Sequence, residues 1–128
     1  VKVRIGQQFF RAAVLSAYNQ RCCISGLANP KLLVASHIVS WREDEHNRLN
    51  PHNGLALSAL HDKAFDLGVI TIDEDYRVVV SSQNTDTNDL FFNTAIASFH
   101  GWPIALPEKF YPAAQFLAFH REHIFQQA

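Results

Sequence analysis

The run Leu32-Leu33-Val34-Ala35-Ser36-His37-Ile38 constrains this chain more than any other stretch. Its aliphatic first half reads as a strand buried in a core, yet it ends by placing a histidine where an apolar side chain would pack better. Whatever fold this strand belongs to has to bring an imidazole to the edge of the core. At 128 residues, with 48% hydrophobic and 12% aromatic content, the chain has the size of one compact domain around one core. A single domain over residues 1–128 is expected. Because the chain begins at Val1 and contains no methionine, it reads as a piece of a longer protein or a processed form.

No repeat, low-complexity tract or Pro/Gly-rich linker divides the sequence, and the polar stretch 81–90, "SSQNTDTNDL", reads as a loop inside the domain. From Gly6 to Tyr18, Phe9, Phe10, Ala13, Val14, Ala17 and Tyr18 recur at helical spacing, predicting an amphipathic helix that stops near Asn19. "CCISGLANPKLLVASHI" holds two short aliphatic runs around Ser-Gly and Asn-Pro, which predicts a hairpin. The charged "REDEHNRLNPHNG" is then a loop. "SALHDKAFDLG" predicts a short helix with Ser58 as N-cap, an apolar face of Leu57, Leu60, Ala64 and Leu67, and Gly68 as a left-handed residue past its end. "VITI" and "RVVVS" predict a second hairpin, "FFNTAIASF" a helix, and Pro112 the opening of a last helix that packs Phe116, Leu117, Phe119, Ile124 and Phe125. The fold class is α+β, with a strand-strand-helix unit at its centre.

Composition excludes some roles. No apolar run approaches the roughly 20 residues needed to cross a bilayer, and the N-terminus lacks the apolar stretch of a secretory signal, so a cytoplasmic protein without membrane contact is expected. Cys22 and Cys23 are adjacent with no third cysteine, giving no disulfide framework; they read as small buried hydrophobes. The net charge of −1 does not mark a strongly basic nucleic-acid binder. Residues 1–50 nonetheless hold seven Lys or Arg against three Asp or Glu, while 51–128 hold four against nine, so a locally basic half could meet phosphate.

On this skeleton His37 ends a strand, Asn53 sits in the loop "PHNGL", and His61 lies on the first turn of the following helix, at intervals of sixteen and eight residues. The combination of "LLVASHI", "NGLALS" and "LHDKAFD" resembles the HNH endonuclease family, the ββα-metal nucleases, in its restriction-enzyme-like branch. The likeness runs from about Cys22 to Ser81, and the terminal "AFHREHIF" resembles a C-terminal helix of that branch. The resemblance implies a ββα-metal core with an extra hairpin and flanking helices.

It also implies a metal-dependent DNA endonuclease. Phosphodiester hydrolysis needs a deprotonated water and positive charge against the phosphate, and a neutral imidazole, with an ordinary pKa of about 6.5, suits the first task. Carried over from the family, His37 is the general base, His61 binds one divalent cation, and Asn53 braces the loop. The two imidazoles are expected to converge on one pocket. The ion could be Mg, Mn, Ni, Co or Zn, since histidine tolerates the later metals. Many members place an acidic residue or histidine before the first His; here that position is Ser36, a poor ligand, and Asp62 and Asp66, four apart on one helix face, are the other candidates. Zinc-stabilised members carry two C-x-x-C knuckles, whereas here the corresponding places read as Cys23, Gly26, Ser58 and Leu60, so no structural zinc is expected. The Asn53–His61 interval is one residue shorter than in many relatives.

Arg42, Arg48 and His52 are candidate DNA contacts, with surface placement as their ordinary alternative. His46 is expected in solvent, His120 as a packing residue or a phosphate contact, and Trp41 and Trp102 at core edges. The setting implied is the cleavage domain of a bacterial restriction or defence enzyme, whose fused recognition domains choose the DNA site. The alternative is an HNH-fold nucleic-acid- or protein-binding module impaired in catalysis because Ser36 cannot complete the metal shell.

Overall fold

The computed structural model describes residues 2–84 and 88–127; residues 85–87 of the expected 81–90 loop lie outside the described residues. Helix α1, Lys2–Ala17, packs Phe10, Val14, Leu15 and Ala17 into the core. It ends where Asn19 and Gln20 both adopt φ of 58°. Phe9, expected on the buried face, is instead 76% exposed.

Strand β1, Leu33–His37, pairs antiparallel with β2, Gly54–Ser58, in a register that sets Leu33 opposite Ser58 and His37 opposite Gly54. This corrects the hairpin expected within residues 22–38. Residues 22–27 form a tight turn instead, with the Cys22 amide donating to the Leu27 carbonyl at 2.9 Å and the Gly26 amide to the Cys22 carbonyl at 2.9 Å. The physical reason lies in burial: all five β2 residues are buried, and Leu55, Ala56 and Leu57 are fully enclosed, so "GLALS" satisfies the centre of the core better than "CCI". Leu57 thus belongs to β2, not to the helix face.

Gly54 permits the close approach of α1 to this sheet, since a Cβ there would lie 2.5 Å from Val14 Cγ2 and 2.9 Å from Phe10 Cζ. Helix α2, Ala59–Asp66, starts directly after β2, and Ser58 caps it as expected, its Oγ accepting the His61 amide at 3.0 Å. Its buried face is His61, Ala64 and Phe65, while Leu60 and Leu67, expected inside, are 40% and 54% exposed. The helix emerges from the sheet rotated relative to the face read from the sequence, because Leu57 was counted into it. Gly68 follows with φ of 75°, and a Cβ there would collide with the Ile124 carbonyl.

Strands β3, Ile70–Ile72, and β4, Val78–Val80, form the second antiparallel hairpin as expected. Helix α3 spans only Leu90–Ala95 before a 3-10 turn at Ala97–Phe99. Helix α4, Ala114–His123, begins two residues after Pro112 and buries Phe116, Leu117 and His120. Trp102, expected at a core edge, is 63% exposed, whereas Cys22 and Cys23 are buried free thiols. Each fully buried large side chain, Phe65 for example, contributes on the order of 1.5–3 kcal/mol. Among the described residues no helix is long and apolar enough to cross a membrane.

Candidate active site

His37, at the open end of β1, is half-buried and held on three sides. Its Nε2 lies 2.7 Å from the Arg48 carbonyl. A carbonyl only accepts, so Nε2 carries the proton and Nδ1 is left as the basic nitrogen of the neutral ring. The imidazole stacks flat on Phe10, with centroids 4.1 Å apart and planes at 4°, and meets the edge of Trp41 at 6.1 Å.

Asn53 is completely buried. Its Oδ1 accepts from the Val39 amide at 2.9 Å, and its Nδ2 donates to the carbonyls of Val39 at 3.0 Å and Asn47 at 3.2 Å. One side chain thereby ties together the start and the far part of the 38–53 loop, which delivers the Arg48 carbonyl to His37.

His61 is elsewhere. It is 4% exposed, and both ring nitrogens are taken: Nδ1 by Ser58 Oγ at 2.6 Å and Nε2 by the Ala95 carbonyl at 2.8 Å. Burial opposes charge on the ring, but the neighbouring Cys22 thiol and the Ala95 carbonyl raise its pKa. Burial disfavours the Cys22 thiolate, yet bonds from His61, Ser25 and Ser58 lower the thiol to about 6. The Ser25 amide points to Cys22 Sγ at 3.3 Å. Cys22, Ser25, Ser58 and His61 are therefore neighbours at the start of α2. His61 borders a separate, mainly apolar cavity with Leu27, Leu32 and Leu60. The expected convergence of His37 and His61 on one pocket does not occur.

The cleft of about 450 Å³ at His37 is lined instead by Ser36, Glu43, Asp62, Asp66 and His120 among others. Asp62 and Asp66 lie one turn apart on α2, and the Asp66 carboxyl is pushed up to about 6 by burial and by the Asp62 charge, with Lys63 opposing. Ser36 Oγ is buried and lacks a hydrogen-bond partner. Two mutually repelling carboxylates beside an orphaned hydroxyl are a donor set suited to a hard divalent cation. Among the described residues no three His, Cys, Asp or Glu side chains converge closely enough to enclose an ion alone, so water and phosphate oxygens would complete its shell.

His120 stacks on Phe65 at 3.6 Å, with Nδ1 bonded to Thr71 Oγ1 at 2.7 Å and Nε2 to the Phe65 carbonyl at 2.8 Å. Burial pushes its pKa down to about 4, so it is a neutral packing residue. Arg42 is exposed beside the cleft residues Trp41 and Glu43. Arg48 lies over the Trp41 ring at 4.7 Å and donates from Nε to the Trp41 carbonyl at 2.8 Å. His52 is turned away: its Nδ1 bonds the Tyr111 carbonyl at 2.8 Å, securing the segment ahead of α4.

Residues 22–73 match the family model described as HNH endonuclease. The segment is an HNH endonuclease domain. It contains both strands of the β1–β2 pair, α2 and β3, so the ββα unit and the whole cleft wall on α2 fall inside it. The enzyme class of the HNH domain is nuclease. The chain also superposes on a modification-dependent TagI restriction endonuclease with a TM-score of 0.65 at 17% identity, a likeness of fold that covers 90% of this chain and 37% of that one. No curated protein matches the chain.

Proposed function

We propose that this HNH domain is a metal-dependent DNA endonuclease in which His37 activates water and Asp62, with Asp66 and Ser36, holds a divalent cation. The observation that supports it most is that one open cleft is shared by an imidazole with a defined basic nitrogen and by two carboxylates whose mutual repulsion a cation would relieve. In the reaction, Nδ1 of His37 takes a proton from the attacking water as its oxygen bonds phosphorus. The bond to the leaving sugar oxygen breaks, and that alkoxide recovers a proton from solvent. Phe10 and the Arg48 carbonyl keep the ring from rotating, and Asn53 keeps that carbonyl in place. A bound cation would supply positive charge against the phosphate oxygens and the leaving oxygen. Its oxygen donors favour Mg²⁺ or Mn²⁺ over the later metals that an imidazole ligand would admit.

The fold likeness to a modification-dependent restriction endonuclease, of which this chain spans 37%, supports the reading of a cleavage domain joined to recognition domains in a restriction or defence enzyme. Cleavage of supercoiled plasmid in Mg²⁺ or Mn²⁺ tests the assignment. His37→Ala is expected to lower the rate by about 10²- to 10⁴-fold in protein that circular dichroism shows to be folded, and Asp62→Asn to weaken the response to metal. Full activity in His37→Ala overturns the assignment of the base, and binding without cleavage by the parent under every ion points to a module impaired in catalysis.

A further inference from the structure

Trp41 borders two cavities, the His37 cleft and a second one of about 360 Å³ lined by Val3, Glu45, His46, Arg48 and Leu49. We propose that this second cavity is a nucleobase subsite, which receives the base of a nucleotide next to the bond being cut; this rests on the nuclease reading above. Three observations point to a base. The lining combines an indole and aliphatic side chains with the hydrogen-bonding groups of Glu45, His46 and Arg48, a mixture suited to a heterocycle with an apolar face and a polar rim. The Glu45 carboxylate, 78% exposed and 3.8 Å from the Arg48 guanidinium, offsets that residue's charge and disfavours a phosphate in the same space. Continuity with the cleft is the third: Trp41 meets His37 at 6.1 Å, so an occupant of the second cavity lies against the ring that separates it from the base catalyst.

Arg48 links the two sites mechanically. Its guanidinium covers the indole at 4.7 Å, while its carbonyl holds His37 Nε2 at 2.7 Å. A base seated against Trp41 and Arg48 therefore buttresses the loop that orients the imidazole, coupling substrate position to the alignment of the general base. Arg48 and Trp41 become substrate-positioning residues rather than contacts to the phosphate backbone.

The test uses Trp102→Phe protein, in which Trp41 is the single tryptophan of the chain, kept in EDTA so that no cutting occurs. Its fluorescence is titrated with a short single-stranded oligonucleotide and with an abasic sugar-phosphate oligomer of equal length and charge. The base-bearing strand is expected to quench Trp41 and to bind about 5- to 100-fold more tightly, the range of base–aromatic stacking. Binding by the Trp41 variants is read from the anisotropy of a dye on the oligomer: Trp41→Leu and Leu49→Glu are each expected to abolish the ratio between the two affinities, Leu49→Glu also weakening both oligomers alike through its added negative charge, and Trp41→Phe to retain most of it; circular dichroism confirms that the variants are folded. Equal affinity of the two oligomers, or a preference that survives Leu49→Glu, overturns the subsite. Because binding is read without catalysis, a protein that cuts plasmid but shows no base preference defeats this inference alone, whereas one that shows the preference but never cuts defeats the nuclease reading alone.

Discussion

Replacing His61 by alanine separates the two roles that a motif histidine could have. In this structure it removes a ring that is 4% exposed and bonded through both nitrogens, leaving the Ala95 carbonyl and the Ser58 hydroxyl without those bonds and opening a void beneath Phe99, whose ring meets His61 edge-on at 5.8 Å. Each unsatisfied buried group costs about 1–3 kcal/mol, and with the void the total is roughly 3–5 kcal/mol. Against a typical domain stability of about 5–15 kcal/mol, the melting temperature should fall by about 10–20 °C. Thermal melting by circular dichroism gives the first number, and plasmid cleavage well below the variant's transition gives the second. The expected outcome is a destabilised protein whose cleavage rate per folded molecule stays within a few-fold of the parent. A variant that melts like the parent yet has lost cleavage and its response to metal would refute the reasoning, because it would make His61 a ligand after all.

Asn53→Ala should lower stability by about 2–5 kcal/mol in urea unfolding, since the buried amide and carbonyl of Val39 and the half-buried carbonyl of Asn47 lose their bonds, and should reduce cleavage through the freed loop; a neutral result would remove Asn53 from the site. Gly54→Ala should cost about 1–3 kcal/mol by overpacking against Val14 and Phe10, and should slow cleavage because Phe10 is the platform under His37. Asp66 has a folded pKa of about 6, above the ordinary carboxylate value. Between about pH 4 and 6 the native protein thus holds a proton that the unfolded chain has released, so this group's contribution to stability falls as pH rises through that window. Asp66→Asn should flatten that fall, seen as a smaller difference between urea midpoints at pH 4.5 and pH 7 than in the parent, while weakening the stabilisation by added Mn²⁺; identical pH profiles would contradict the burial and repulsion described for this carboxyl.

Much of the architecture was legible because local signals and tertiary burial agreed. Ser58 and Gly68 bracket α2 as their capping chemistry dictates, and the second hairpin follows from two β-branched runs around a turn. The first hairpin was misread where they disagreed: β1 skips the nearest aliphatic run and pairs across the loop 38–53 with a strand whose residues are all buried. That misreading shifted Leu57 into the helix and hid which face of α2 turns inward. His37 and Asn53 stood out because a histidine ending a strand and an Asn-Gly pair are conspicuous. Asp62 and Asp66 ranked behind His61 as candidates, since a carboxylate on the first turns of a helix is ordinary near a positive dipole end; the cavity shared with His37 is what brings them forward. His61 is buried with both ring nitrogens bonded and does not line the cavity of His37, whereas Asp62 and Asp66 of α2 do; the proposal therefore assigns the cation to those carboxylates.

The most direct measurement is the position of Mn²⁺ in crystals of the protein, located by anomalous scattering. The account predicts one peak in the cleft before His37, with Asp62 oxygen at a bonding distance of about 2.2 Å and no peak near Cys22 and His61. An ion bound to His61, with the cleft between His37 and Asp62 lacking any peak, would contradict it.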